Sequence, residues 1–144
     1  MDLRTGASAG VNAVHGILLA FPIALFTSAM ISDIAYLRTA EMQWTNFSAW
    51  MIAGALVFGG VVLAWSLIRL VLAFRSPSRK RRLLYTVVVA IMWVLGLVNA
   101  FKHSQDAWSS VGAFGMGLSV ICTLLALVAG ALAFSGFVTE EVAR

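Results

Sequence analysis

Four long apolar runs separated by short polar breaks organise the chain, covering about residues 11–31, 48–74, 83–101 and 111–138. Each is close to or above the roughly 20 residues an α-helix needs to cross about 30 Å of hydrocarbon. The runs are continuous rather than alternating, which selects helices over barrel strands. Polar breaks at 32–46, 75–82 and 102–110 separate them. The pattern predicts an all-α fold, an integral membrane four-helix bundle forming a single membrane domain over residues 1–144. The stretch before the first run lacks the charged start, short apolar core and small-residue exit of a cleaved signal peptide, so the first run is expected to be retained.

Composition excludes a water-soluble domain. Apolar residues make up 61% of the chain and charged residues 11%, against about half and a quarter in soluble domains. The net charge of +4 does not point to nucleic acid, because six of the ten basic residues fall between Arg69 and Arg82. A short basic loop between apolar segments marks a cytoplasmic loop. That choice puts Arg4, Arg69, Arg75, Arg79, Lys80, Arg81, Arg82 and Arg144 inside, and only Arg38 and Lys102 outside. Both chain ends are therefore expected in the cytoplasm, with the protein in a bacterial inner membrane. Trp44, Trp50, Trp108 and Tyr36 gather at the outer breaks as an interfacial belt. Trp65 and Trp93 fall deeper and are expected to pack between helices, and Tyr85 sits at the inner interface. Cys122 is the single cysteine and lies in an apolar run, so no disulfide follows and packing is its expected role.

Pro22 stands in the middle of the first run. It removes an amide donor and crowds the carbonyl of Leu18, so a kink is expected there. Small residues four apart, at Ala55 and Gly59, Ala113 and Gly117, and Ala126 and Gly130, suit close helix packing, within the bundle or in a homo-oligomer.

Two stretches carry a family resemblance. The run from His15 through Phe21-Pro22 to Asp33-Ile-Ala-Tyr-Leu-Arg38, and the run from Asn99 through His103 and Asp106 to Trp108 followed by Leu118-Ser119, resemble the domain-of-unknown-function 2231 family of predicted four-helix membrane proteins. The resemblance covers about residues 13–137. Gly16 stands where the family usually has proline, Ala20 where many members have His or Pro, and the final helix ends without the usual Tyr-Arg-His tail. Family members are often encoded beside periplasmic quinoprotein dehydrogenases and c-type cytochromes, so the resemblance implies a respiratory role with a periplasmic dehydrogenase or cytochrome as partner.

Candidate chemistry gathers at the ends of the runs. An outer-face polar site is expected from Asp33, Arg38, His103, Asp106 and Trp108, where an imidazole and two carboxylates would suit a divalent metal or a polar headgroup. The plainer reading is that these groups bond to one another and tie the outer loops together. His15 and Arg69 form a candidate inner-end site. Haem b held by the two histidines is the cofactor that comes to mind, but the topology separates them by most of a membrane thickness, on the order of 25 Å. No bis-histidine cofactor is therefore expected, which leaves haem b on one histidine, with or without a methionine such as Met30, Met42 or Met116, as the remaining cofactor reading. No ionisable group is expected near the bilayer centre, which argues against a proton-coupled transporter. Catalytic residues are expected to be none, since no nucleophile–base pair, phosphate loop or paired ligand motif is present. The expected role is a membrane subunit or partner in a periplasmic dehydrogenase-linked electron-transfer chain. A small oligomeric channel, a solute-binding membrane protein or a structural membrane component are the alternatives.

Overall fold

A computed structural model describes the backbone at residues 3–72, 75, 78–105 and 111–142, and side chains between residues 12 and 135 within those ranges. Four helices make up the fold: α1 (Leu3–Thr39), α2 (Met42–Leu72), α3 (Arg79–His103) and α4 (Ala113–Val142). Each packs against the next and α4 closes back on α1, an up-down-up-down bundle. The start of α1, the α2–α3 connection and the end of α4 share one end, called here the basic end. The α1–α2 turn and the α3–α4 connection form the far end.

Buried positions follow a seven-residue rhythm. On α2 they are Thr45, Ser48, Ile52, Ala55, Gly59, Val62 and Ser66, and on α3 Thr86, Val89, Met92, Gly96, Asn99 and His103. Alternating steps of three and four keep one stripe facing the partner helices. The middle of the bundle is apolar, filled by Leu19, Phe26, Ile52, Val62, Val89, Met92, Cys122, Ala126 and Ala129. Toward each end the same stripes turn polar. Outward positions are apolar instead, with Val57, Val71, Leu72, Phe101 and Trp50 at least two-thirds exposed. Only a lipid environment makes that arrangement favourable. All four helices are long and apolar enough to span a membrane.

Close approach depends on small residues at specific contacts. A Cβ on Gly96 would stand 2.9 Å from Phe26 Cζ and 3.0 Å from Leu56 Cδ2, and one on Gly130 would stand 2.9 Å from Ile23 Cδ1. Ala55, Gly59, Ala126 and Gly130 are buried inside the bundle. Ala113 is exposed, and a Cβ on Gly117 would meet nothing within 4 Å. Two of the three small-residue pairs thus serve the bundle itself.

The 32–46 break is not an extended outer loop. Helix α1 continues to Thr39, and only Ala40 and Glu41 separate it from α2. Ala40 closes the helix with φ 55° and its N–H on the Tyr36 carbonyl at 2.8 Å, a left-handed C-terminal cap. The physical reason for the correction is facial. Ser32 and Asp33 point into the bundle while Ile31 and Leu37 point out, and a hydropathy average sees only a polar patch. Likewise α3 begins before residue 83 and ends after 101. Helix α1 runs unbroken through Pro22, which is buried in the core, and the Thr27 hydroxyl bonds the Ile23 carbonyl at 2.7 Å.

Candidate functional site

At the far end a buried polar cluster draws on all four helices. Asp33 comes from α1, Ser48 from α2, Asn99 and His103 from α3, and Ser119 from α4, all buried. Asn99 and His103 are four apart, which places them on one helical face. Asp33 lies six residues before the end of α1, about 9 Å inside it at 1.5 Å per residue. That depth sets Asp33 nearly two turns inside the end of α1, close to the far-end edge of a 30 Å hydrocarbon slab, while His103 is the last residue of α3.

Donor and acceptor chemistry fixes most of the protons. His103 Nδ1 lies 2.9 Å from the Asn99 carbonyl, which can only accept, so Nδ1 carries a hydrogen. His103 Nε2 faces Asp33 Oδ1 at 3.0 Å, so a single proton is held between imidazole and carboxyl. The Asn99 amide donates to Ser119 Oγ at 3.0 Å, and the Ser119 hydroxyl donates in turn to Asp33 Oδ2 at 2.5 Å. Ser48 donates to the Ala29 carbonyl at 3.3 Å and sits 3.4 Å from His103 Nε2. The bonds close a ring from Asn99 through Ser119, Asp33 and His103 back to Asn99. Both carboxyl oxygens are engaged, which is what a buried charge requires. One acceptor is left over: Asn99 Oδ1 is buried with no partner among the described residues.

A cleft of 390 Å³ opens onto His103, lined also by Met42, Gln43, Thr45, Asn46, Ala49 and Gln105. Beneath the cluster Thr123 bonds the carbonyls of Phe26 and Ser119, and the apolar core begins. The cleft thus borders the cluster at His103 on the far end, while the side chains of His103 and Asp33 themselves are shielded from solvent.

The second polar group lies at the basic end. His15 Nε2 and the Tyr85 hydroxyl are 2.8 Å apart, and the imidazole also packs against the Trp65 ring at 5.9 Å. His15 Nδ1 is buried without a partner. Arg69 donates to Asn12 Oδ1 at 3.2 Å. Eighteen residues of α1 separate His15 from Asp33, the partner of His103, or about 27 Å along the helix. The residues do not fit a bis-histidine haem, since the rings stand at opposite ends and both nitrogens of His103 are engaged.

Of the expected outer site, Asp33 and His103 come together, while Arg38 is exposed on the last turn of α1. Asp106 and Trp108 lie outside the described residues. Among the described residues no three His, Cys, Asp or Glu side chains gather as metal ligands. His15 and Arg69, the candidate inner-end residues, both lie at the basic end, where His15 bonds Tyr85 and Arg69 bonds Asn12. Sequence reasoning missed Ser48, Asn99, Ser119 and Tyr85 as site residues, although Asn99 and Ser119 stand in a stretch that carries the family resemblance. An Asn four residues before a His in an apolar run was the available signal.

A family model described as a predicted membrane protein, DUF2231, matches residues 11–137. The chain belongs to that family. No curated protein and no solved structure matches it. This DUF2231 chain is accordingly a membrane protein with four membrane-spanning helices, and both stretches that carried the resemblance contribute to the far-end cluster.

Proposed function

We propose that this DUF2231 protein is a solute-binding membrane protein whose working site is the His103–Asp33 cluster and the cleft above it. One observation carries the reading: an imidazole and a carboxyl sharing a proton are buried between all four helices, beside an Asn99 Oδ1 that has no hydrogen-bond partner among the described residues, and a cleft borders His103. Ionisable groups at membrane depth are costly and are retained mainly for function. Binding without catalysis fits the site, because the two hydroxyls beside the pair are engaged in its own bonds, Ser48 to the Ala29 carbonyl and Ser119 to Asp33. The positive-inside bias puts the basic end in the cytoplasm of a bacterial inner membrane and the cleft on the periplasmic side. The test is a thermal-shift panel of small polar solutes on purified protein and on Ala49→Trp, which fills the cleft. A solute that raises the melting temperature of the parent by several degrees and leaves the variant unmoved supports the reading; equal shifts in both would sink it.

A second reading, a membrane partner in a periplasmic dehydrogenase-linked electron-transfer chain, draws on the shared proton. Such a partner needs a group that takes up and releases protons near one aqueous face, and the cluster supplies one. Its check is affinity purification from native membranes: an associated dehydrogenase or cytochrome supports it, and its absence under mild solubilisation counts against it. A channel finds less support, because the middle of each bundle is filled by Leu19, Phe26, Ile52 and Met92, so a pore would have to run between copies.

A further inference from the structure

The α2–α3 end of the bundle joins two surfaces that one class of molecule covers together. Arg75 and Lys80 are exposed at the connection, as are Arg79 and Arg81. Directly below them the outward faces of α2 and α3 present Ile68, Val71 and Leu72 (82% exposed), and Leu83, Leu84 and Val87. A cationic patch thus sits next in the chain to exposed apolar positions of both helices, the order in which a phospholipid places its headgroup and acyl chains. Arg81 bonds the Leu132 carbonyl and the Ser135 hydroxyl of α4, and Arg82 bonds Ser78. The first turn of α3 holds no acidic residue and its N-cap, Ser78, makes no side-chain capping bond. Cations therefore stand where the helix dipole favours anions, so a negative headgroup relieves repulsion as well as gaining attraction. In the sequence the basic end carries Arg4, Arg69, Arg75, Arg79, Lys80, Arg81, Arg82 and Arg144 against Asp2, Glu140 and Glu141, so charge complementarity selects an anionic occupant over a zwitterionic one.

We propose that this end binds an anionic phospholipid, its phosphate held by Arg75, Arg79 and Lys80 and its chains lying along the exposed apolar faces of α2 and α3. This site is separate from the far-end cluster and does not depend on the solute-binding reading.

The test is native mass spectrometry of the detergent-purified protein with an equimolar mixture of phosphatidylglycerol and phosphatidylcholine of matched chains. The parent is expected to retain phosphatidylglycerol roughly tenfold over phosphatidylcholine, the scale that a few basic residues near a headgroup provide. The variant R75Q/R79Q/K80Q leaves the bonds of Arg81 and Arg82 in place. It should lose the preference while still binding phosphatidylcholine, with helicity by circular dichroism confirming its fold. Equal retention of the two lipids by the parent, or an unchanged preference in the folded variant, would overturn the proposal. So would stabilisation of the parent by millimolar inorganic phosphate alone to the level given by phosphatidylglycerol, which would assign the patch to a free anion. Should the triple variant fail to fold, K80Q alone is expected to reduce the preference about threefold, and no reduction would count against the site.

Discussion

Asp33 receives bonds from two side chains, and removing it leaves both His103 and Ser119 without their acceptor. Asp33→Ala is expected to destabilise the protein by about 3 kcal/mol, the usual penalty for breaking one side of a buried ion pair. Asp33→Asn should cost clearly less, because an amide can accept from Ser119 and donate to an imidazole left neutral at Nε2. Denaturant unfolding in detergent checks both, and equal losses would show that the amide's hydrogen bonds do not replace those of the carboxyl. Combining Asp33→Ala with His103→Ala should cost less than the sum of the two, by about 1 kcal/mol or more, since contacting residues couple. Ala40 presents a different case at the same scale. Its φ of 55° suits glycine better than alanine, at a strain of about 1 kcal/mol. Glycine also loosens the unfolded chain, so Ala40→Gly is expected to change the midpoint little and in the stabilising direction.

Helix packing turns on where a methyl group can be added. Gly96→Ala meets Phe26 and Leu56 at 2.9 and 3.0 Å, and Phe26 is fully buried. Overpacking of this kind costs about 1–3 kcal/mol. Gly117→Ala meets nothing within 4 Å and should instead stabilise by up to about 1 kcal/mol through helix propensity. The contrast, read from thermal melts of the two variants, separates glycines required by the bundle from one that is not. Both sit in apolar runs, and spacing singled out Gly117, paired with Ala113, while passing over Gly96, the reverse of what the packing requires. Ala126 and Gly130 were legible as a close-packing pair, but that Gly130 faces Ile23 on α1, and not a second copy, required the neighbouring helix.

For the whole molecule, the positive-inside argument makes a direct statement about sidedness. In a Cys122→Ala background, chosen because Cys122 is buried, a cysteine introduced by Gln105→Cys should react with a membrane-impermeant maleimide from the periplasm. One introduced by Lys80→Cys should react only after the membrane is opened. The reverse pattern would place the cleft in the cytoplasm and remove the periplasmic solute from the reading.

Sequence alone determined the medium, the number of spans, the helical class and the clustering of charge at one end, because those depend on length and on averages over a segment. It also separated the two histidines, since depth along a helix is a matter of counting residues. Tertiary structure decided what those averages hide. Asp33 was a rim residue by hydropathy and became a core residue once α1 ran on to Thr39 and turned that face toward α3 and α4. Ser48, Asn99 and Ser119 are ordinary polar residues in their own runs, and only the four-way meeting of helices makes them one hydrogen-bonded ring. The far-end polar site that the chain announced in outline therefore proves to be a buried pair with a single shared proton. A proton's position depends on which acceptor stands opposite, and no one segment carries that information.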